Sequence, residues 1–322
     1  MDNIQITSLG VKRSLSKFTD IDSIIEYVWN GFDAKASKIE INTTFNELGA
    51  IKDITIKDNG FGIDRNKLEE KFKPFFQSEK IEQQLQEKRK TNSTYHGKNG
   101  VGRLTFFKFS NNAMWDTIYN DSDGKNKRYT IKIYDTDLTK YIPSEIEETS
   151  EHSGTMVKFE AITSPINLTE LITELKNEFC WYLLLNKENN FKIIVNNQEL
   201  DISDLITETD NGILLIEDKT FKWTFVNWNT SLKKEYSRYY FINSSGKEAF
   251  KEYTTFNNKG DKFYHSLYIK SDFFDNFIFN KNQLESFQLS MFENQNEIYK
   301  QLINKLDIII SDRRIPYIRK YS

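Results

Sequence analysis

The sequence predicts an α+β protein built as two successive domains, residues 1–163 and 164–322. Three observations lead there. Segments with apolar residues at helical spacing are interspersed along the chain with segments that alternate apolar and polar residues, as half-buried strands do. A Thr/Ser/Asn cluster around Pro165, in "TSPINLTE" (163–170), marks a boundary near the middle. A chain of 322 residues with 38% hydrophobic and 14% aromatic content can also bury one large core or two moderate ones.

In the first domain, "DIDSIIEYVWNGFDAKA" (20–36) reads as a helix, with Asp20 or Asp22 available as its N-cap. Ile21, Ile24, Ile25, Val28 and Phe32 fall on one stripe at helical spacing. "KIEINTTF" (38–45) and "IKDITIKD" (51–58) read as strands joined through "NELG", and therefore as a hairpin. Residues 65–95 are charged and Gln-rich, poor material for a core. "RYTIKIYD" (128–135) and "GTMVKFEAI" (154–162) are further strands. The second domain opens on the helical "LTELITELKNEFCWYLLLN" and a hairpin around Asn196-Asn197. Strands follow at "TFKWTFVNWN", "RYYFINSSGKEAF" and "FYHSLYIKS", and a helix is expected over 296–314.

Composition narrows the function. A net charge of -3, from 44 Lys+Arg against 47 Asp+Glu, supplies no global attraction to nucleic acid, although local basic runs occur at 87–90 and 313–320. One cysteine, Cys180, excludes an internal disulfide, and its apolar surroundings mark it as a core packer. There are no Cys/His clusters for zinc, no secretory signal before the first elements and no apolar stretch near bilayer-spanning length. The expected compartment is the cytosol.

Four short stretches carry chemistry. "GKNGVG" (97–102) packs three glycines into six residues before a Phe-rich run. Alone, it reads equally as a turn or as a loop that cradles phosphates. Glu26, Asn30 and Asp33 are spaced by four and three residues, which places them on one face of the first helix. A solvated polar face is the ordinary reading of that pattern. Gly31 in the same helix costs about 1 kcal/mol relative to alanine, so its presence predicts close packing there. Asp58 ends a strand and leads into "NGFG", a turn whose Gly60 and Gly62 let backbone approach a flat ligand while the carboxylate accepts a hydrogen bond. Gly154-Thr155 opens a later strand with a small hydroxyl.

In this order, the four resemble the GHKL superfamily of ATP-binding domains, which includes Hsp90, MutL, type II topoisomerases, MORC proteins and histidine kinases. "EYVWNGFDA" resembles the family's N-box, "DNGFG" its adenine-binding turn, "GKNGVG" the glycine-rich end of its ATP lid, and "SGTMVKFE" its last shared strand. The resemblance covers residues 1–163 and implies a two-layer α/β sandwich of the Bergerat type, followed by a transducer-like α+β domain over 164–322. It also implies Mg-ATP as ligand. Glu26 would be the general base, Asn30 the Mg²⁺ ligand and Asp58 the acceptor for the adenine amino group. Asp33 and Thr155 would support the base, beside the turn glycines Gly60 and Gly62. Gly97, Gly100, Val101 and Gly102 would hold the phosphates. Lys98 and Lys80 are further candidate phosphate contacts, each equally readable as a solvated lysine. Lys281, in "FIFNKNQLESF", is the candidate transducer lysine, with an ordinary loop lysine as the competing reading.

Glu26 favours the hydrolysing branch, and the MORC-like members are the most similar in their lid pattern. The implied function is an ATP-dependent conformational switch or dimerising clamp, in a DNA-related or bacterial defence process. Its implied partners are a second copy of the chain, a separate effector protein and DNA. Two alternatives stay open: a nucleotide-sensing module that does not hydrolyse, and a histidine-kinase-like phosphotransferase. Against the latter, no phosphoacceptor helix precedes residue 20.

Overall fold

A computed structural model describes residues 7–72, 102–257, 259–277 and 289–321. The chain forms two compact units. The first comprises the described residues up to 175 together with 190–200, and the second comprises 176–189 and 201–321.

The first unit begins with a short helix α1 (Ser8–Ser14) and the long helix α2 (Asp20–Asp33). Thr19, rather than Asp20 or Asp22, caps α2. Its hydroxyl accepts from Asp22 N–H at 3.0 Å while Asp22 Oδ2 accepts from Thr19 N–H at 3.2 Å. This reciprocal capping box satisfies two donors that a single aspartate cap would leave half served. Ile24, Ile25, Val28 and Phe32 are buried as the periodicity predicts, and so are Tyr27, Trp29 and Gly31. The helix is therefore enclosed on most of its circumference.

The predicted hairpin forms with the predicted bounds, β1 (Lys38–Phe45) paired antiparallel with β2 (Ile51–Asp58). A single-turn helix α3 (Leu68–Phe72) follows. The described chain resumes at a 3₁₀ helix, Gly102–Lys108, and then enters β3 (Ser110–Asn120), a strand not anticipated in the sequence. β4 (Asn126–Tyr134), the short β5 (Ile142–Pro143) and β6 (Glu147–Thr149), and β7 (Gly154–Ile162) complete the run. Helix α4 (Leu168–Leu185) leads to the hairpin β8 (Lys192–Val195) and β9 (Gln198–Glu199). Its turn is built on Asn196 and Asn197, both at positive φ, as twisted two-residue hairpins require.

These strands form one nine-stranded sheet in the order β5-β4-β3-β7-β2-β1-β8-β9, with β6 pairing on β4. β8 adds parallel to β1, from Lys38 opposite Lys192 to Ile41 opposite Val195. One face of the sheet presents Ile39, Ile54, Ile56, Val157, Phe159 and Trp115, all buried. Tyr27 of α2 packs edge-on to Phe159 at 4.7 Å between ring centroids. The opposite face carries charged pairs such as Arg128–Asp116 and Lys158–Glu160. The result is the two-layer α/β sandwich expected.

The second unit holds a five-stranded sheet in the order β10 (Ile206–Ile216), β11 (Lys219–Trp228), β14 (Tyr264–Lys270), β12 (Arg238–Ile242), β13 (Glu248–Tyr253). β12 and β14 run parallel and the other pairs antiparallel. Helix α5 (Leu289–Tyr321) is longer than the predicted 296–314 and passes through Pro316. Ile298, Leu302, Leu306 and Ile310, four residues apart, place one stripe of α5 in the core with Phe221, Phe225 and Phe241. Cys180 is fully buried, and burial pushes its thiol up to about 12, the behaviour of a packing residue.

Candidate functional site

The site is assembled from three pieces of the first unit. The first is the strip of Glu26, Asn30 and Asp33 on α2. All three are half-buried, with Ser23 and Trp29 flanking them as buried neighbours. A freely solvated face is thus not what the fold provides.

The second piece is Asp58, at the end of β2, with the turn that follows. Gly31 makes the approach of β2 to α2 possible. A Cβ at position 31 would stand 2.4 Å from Ile39 Cδ1 and 3.1 Å from Asp58 Cβ. The predicted close packing at Gly31 is real, and its partners are Ile39 and the aspartate. Asp58 Oδ1 accepts from Gly60 N–H at 2.8 Å and from Thr155 N–H at 3.3 Å. Both bonds fall on the same oxygen, so Oδ2 receives none from any described residue. Burial pushes the carboxyl from 3.8 up to about 6, opposed in part by the hydrogen bonds from Gly60 and Thr155.

The turn is fastened on three sides. Phe61 N–H donates to Ala34 O at 3.0 Å, Ile63 N–H donates to Thr117 Oγ1 at 2.9 Å, and Tyr129 OH donates to Ile63 O at 3.0 Å. Gly60 and Gly62 are both required here. A Cβ on Gly60 would lie 2.5 Å from Ala34 O, and Gly62, at φ +72°, would bring one to 2.0 Å from Ile118 O. Asn59 has a structural task. Its Oδ1 accepts from the N–H groups of Ser37 and Lys38, both at 2.9 Å, which ties the turn to the start of β1.

The third piece is the start of the 3₁₀ helix. Gly102 is buried against Glu26, and a Cβ there would sit 2.6 Å from Glu26 Oε2. Tyr27 OH donates to Arg103 O at 2.6 Å, and Arg103 Nη2 donates to Phe72 O at 3.2 Å. Burial lowers the Arg103 guanidinium to about 10. Two residues that sequence reasoning passed over therefore hold this corner, Tyr27 and Arg103. Thr117 is a third, and its side chain links the turn to Thr155.

Of the residues singled out in the sequence, the fold brings together Glu26, Asn30 and Asp33 on α2 with Asp58, Gly60 and Gly62 in the turn, Thr155 on β7, and Gly102. Gly97, Lys98, Gly100 and Val101, together with Lys80, lie outside the described residues, and so does Lys281. A hollow of about 430 Å³, lined by Lys57, Asp116, Arg128, His152 and Met156 among others, also borders Asp58, Asn59, Gly154 and Thr155. None of Glu26, Asn30 or Asp33 borders it. Among the described residues no His, Cys, Asp and Glu gather in threes as a metal cage would need, and no helix is long and apolar enough to cross a membrane.

A helix bearing a Glu/Asn/Asp strip, set against a strand-end aspartate and a two-glycine turn, is the arrangement that the GHKL resemblance implies. Residues 21–162 match the family model of histidine kinase-, DNA gyrase B- and HSP90-like ATPases, consistent with the GHKL ATPase superfamily. Among solved structures, the chain is similar to the ATPase region of Saccharomyces cerevisiae topoisomerase II, at 14% identity over 78% of this chain and 72% of that one, with a TM-score of 0.46. The same region bound to ICRF-187 (dexrazoxane) is similar at 14% identity over 78% and 73%, with a TM-score of 0.45. No curated protein matches the sequence.

Proposed function

We propose that the first unit binds Mg-ATP and hydrolyses it, and that the chain uses the cycle as a conformational switch. The observation that carries this reading is Asp58. It is a half-buried carboxylate with one oxygen held by two N–H groups and the other left for a ligand donor. An amino group on a purine supplies that donor, and the glycines of the turn admit the flat ring.

At the other end of the site, Glu26 would accept a proton from the water that attacks the γ-phosphorus, as the bond to the bridging oxygen breaks and ADP leaves. Asn30 offers a side-chain carbonyl oxygen, a hard donor that fits Mg²⁺, which takes few protein ligands and fills its shell with phosphate oxygens and water. The metal would supply charge neutralisation at the phosphates. Asp33 and Thr155 would hold the base end, and Gly102 would keep the Glu26 carboxylate in place. Lys98, Gly97, Gly100 and Val101 are proposed phosphate contacts and Lys281 a proposed transducer lysine, on the resemblance alone.

In the ATP-bound state two chains would pair, and hydrolysis would release them; an effector protein is the proposed recipient of the motion. DNA is a weaker candidate. Arg313 and Arg314, half of the basic character of 313–320, are engaged with Asp210 and Asp261 within the second unit. The test is phosphate release from Mg-ATP by wild type and Glu26→Ala, with nucleotide binding measured on both. Release by wild type alone, with binding by both, supports hydrolysis through Glu26. Binding without release by either favours the non-hydrolysing sensor, and absence of binding overturns the site.

A further inference from the structure

We propose that the outer edge of β10, in the second unit, is an interface at which two copies of the chain join without nucleotide, β10 against β10 in antiparallel register about Ile213. The proposal is independent of the site on α2 and β2.

The two sheets end differently. Among the described residues, the nine-stranded sheet ends in very short strands, β5 (Ile142–Pro143), β6 (Glu147–Thr149) and β9 (Gln198–Glu199). Shortness, a proline and acidic residues are the devices that keep a sheet edge from pairing with another chain. At one end of the five-stranded sheet, β13 is a six-residue strand with Glu248, Lys251 and Glu252 along it. β10, at the other end, is built otherwise. It is eleven residues long, and among the described residues it pairs on one side only, with no register shift from Glu208 to Ile216. Its last stretch, "NGILLI" (211–216), holds neither a charge nor a proline. Leu214 and Ile216 pack into the core beneath α5. Ile213 and Leu215 therefore point to the opposite face, where they are 62% and 68% exposed. A long apolar edge of this kind is a template for another strand.

The strand that fits this edge is β10 itself. A two-fold axis through Ile213 sets Ile213 opposite its own copy, Leu215 opposite Asn211 and Asp210 opposite Ile216. Ile213 and Leu215 of both copies then form one apolar cluster on the exposed face, because diagonal neighbours across a strand pair are within reach of long side chains. Charge favours the antiparallel sense. Glu208 and Asp210 lie toward one end of the strand and the apolar residues toward the other. Antiparallel pairing sets acid against apolar residues, whereas parallel pairing would line Glu208 up with Glu208. Asp210 is already paired with Arg313 of its own unit, which leaves little on the edge for a basic strand of another protein to meet. The contact also closes on itself, as two-fold interfaces do, and the joined sheet ends on the charged β13 strand at both sides.

The experiment is sedimentation equilibrium of the 322-residue chain in EDTA without nucleotide, so that any ATP-dependent pairing of the first units is silent. One strand pair is a small interface, and wild type should pass from monomer to dimer with a Kd of about 10–100 µM. Ile213→Lys sets a charge opposite its own copy and should weaken the dimer about tenfold or more. Ile142→Lys, an exposed position on the short β5 edge, should leave it unchanged. Circular dichroism and Tm should stay near those of wild type in both, since neither side chain is in a core. Oxidative cross-linking reads the register. Ile213→Cys should form a disulfide with its own copy, because opposed Cβ atoms lie about 4.5–5.5 Å apart. Lys222→Cys, opposite Ile213 but one strand further in, should not. If Ile213→Lys does not fold, the cross-linking pair decides alone. A dimer that survives Ile213→Lys, or equal cross-linking by both cysteine variants, overturns the proposal. So does a wild type that stays monomeric to about 500 µM, which would leave this edge to a strand of a different protein.

Discussion

Gly102 and Glu26 are in direct contact: a Cβ placed on Gly102 would stand 2.6 Å from Glu26 Oε2 and 3.4 Å from Glu26 Cβ. The glycine closing the loop "GKNGVG" is thus the surface against which the proposed general base rests. The atom nearest to the missing Cβ is the far end of a flexible side chain, so a small side chain at 102 moves the carboxylate before it disturbs the backbone.

Gly102→Ala should therefore keep the fold and nucleotide affinity, the latter within about threefold, while phosphate release falls about tenfold or more, since a base displaced by around 1 Å loses much of its effect. Calorimetric binding beside a phosphate-release assay checks this. Equal losses in both would mean that Gly102 serves binding and not Glu26.

Gly31→Ala meets a different wall. Its Cβ would press on Ile39 Cδ1 and Asp58 Cβ, both inside the packed layer between α2 and the sheet. Overpacking of this kind costs about 1–3 kcal/mol. Chemical denaturation should show that loss, and ATP binding should weaken as well because Asp58 is pushed from its place.

Asp58 couples binding to pH. Its carboxyl titrates near 6 in the folded protein, against 3.8 ordinarily. ATP affinity should be steady above pH 7 and fall as pH drops through about 6, where the acceptor becomes protonated. Stability without nucleotide follows the opposite sign. The folded state binds the proton more tightly, so the contribution of this group is greatest below 3.8 and is lost as pH rises to about 6. Asp58→Asn removes that loss. At pH 7 it should raise stability by about 1–2 kcal/mol, short of the roughly 3 kcal/mol that two pK units correspond to, and it should abolish ATP binding.

In the second unit, His265 is fully buried, with Nε2 at 2.9 Å from Thr254 Oγ1 and Nδ1 at 3.0 Å from Phe263 O. Burial lowers it to about 4 from 6.5. The unfolded chain then takes up a proton that the folded chain refuses, so stability falls as pH drops from about 6.5 toward 4. Hydrogen exchange along β14 should accelerate over that window, after correction for the intrinsic rate, and His265→Gln should flatten the dependence.

Some of this architecture is legible one segment at a time. The hairpin of β1 and β2 and the strand β7 appear at their predicted bounds because alternation and turn residues are local signals. β3 went unseen behind a Phe-rich run whose apolar residues do not alternate, and that run forms part of a seven-residue 3₁₀ stretch. The parallel pairing of β8 with β1 joins residues about 150 positions apart, and no local pattern announces a partner at that range.

The sequence by itself determined which residues could do the chemistry: a Glu/Asn/Asp strip at helical spacing, an aspartate before a two-glycine turn, and a glycine loop. Each of these depends only on spacing along one element. The tertiary structure alone decided how they act together. Whether the α2 strip is solvated or half-buried depends on the elements packed around it, and which oxygen of Asp58 is left for a ligand depends on where Gly60 and Thr155 place their N–H groups. The Thr117–Thr155 contact is of the same kind, since two threonines become a hydrogen-bonded pair only when β3 and β7 align in one register and burial removes water as a competing partner.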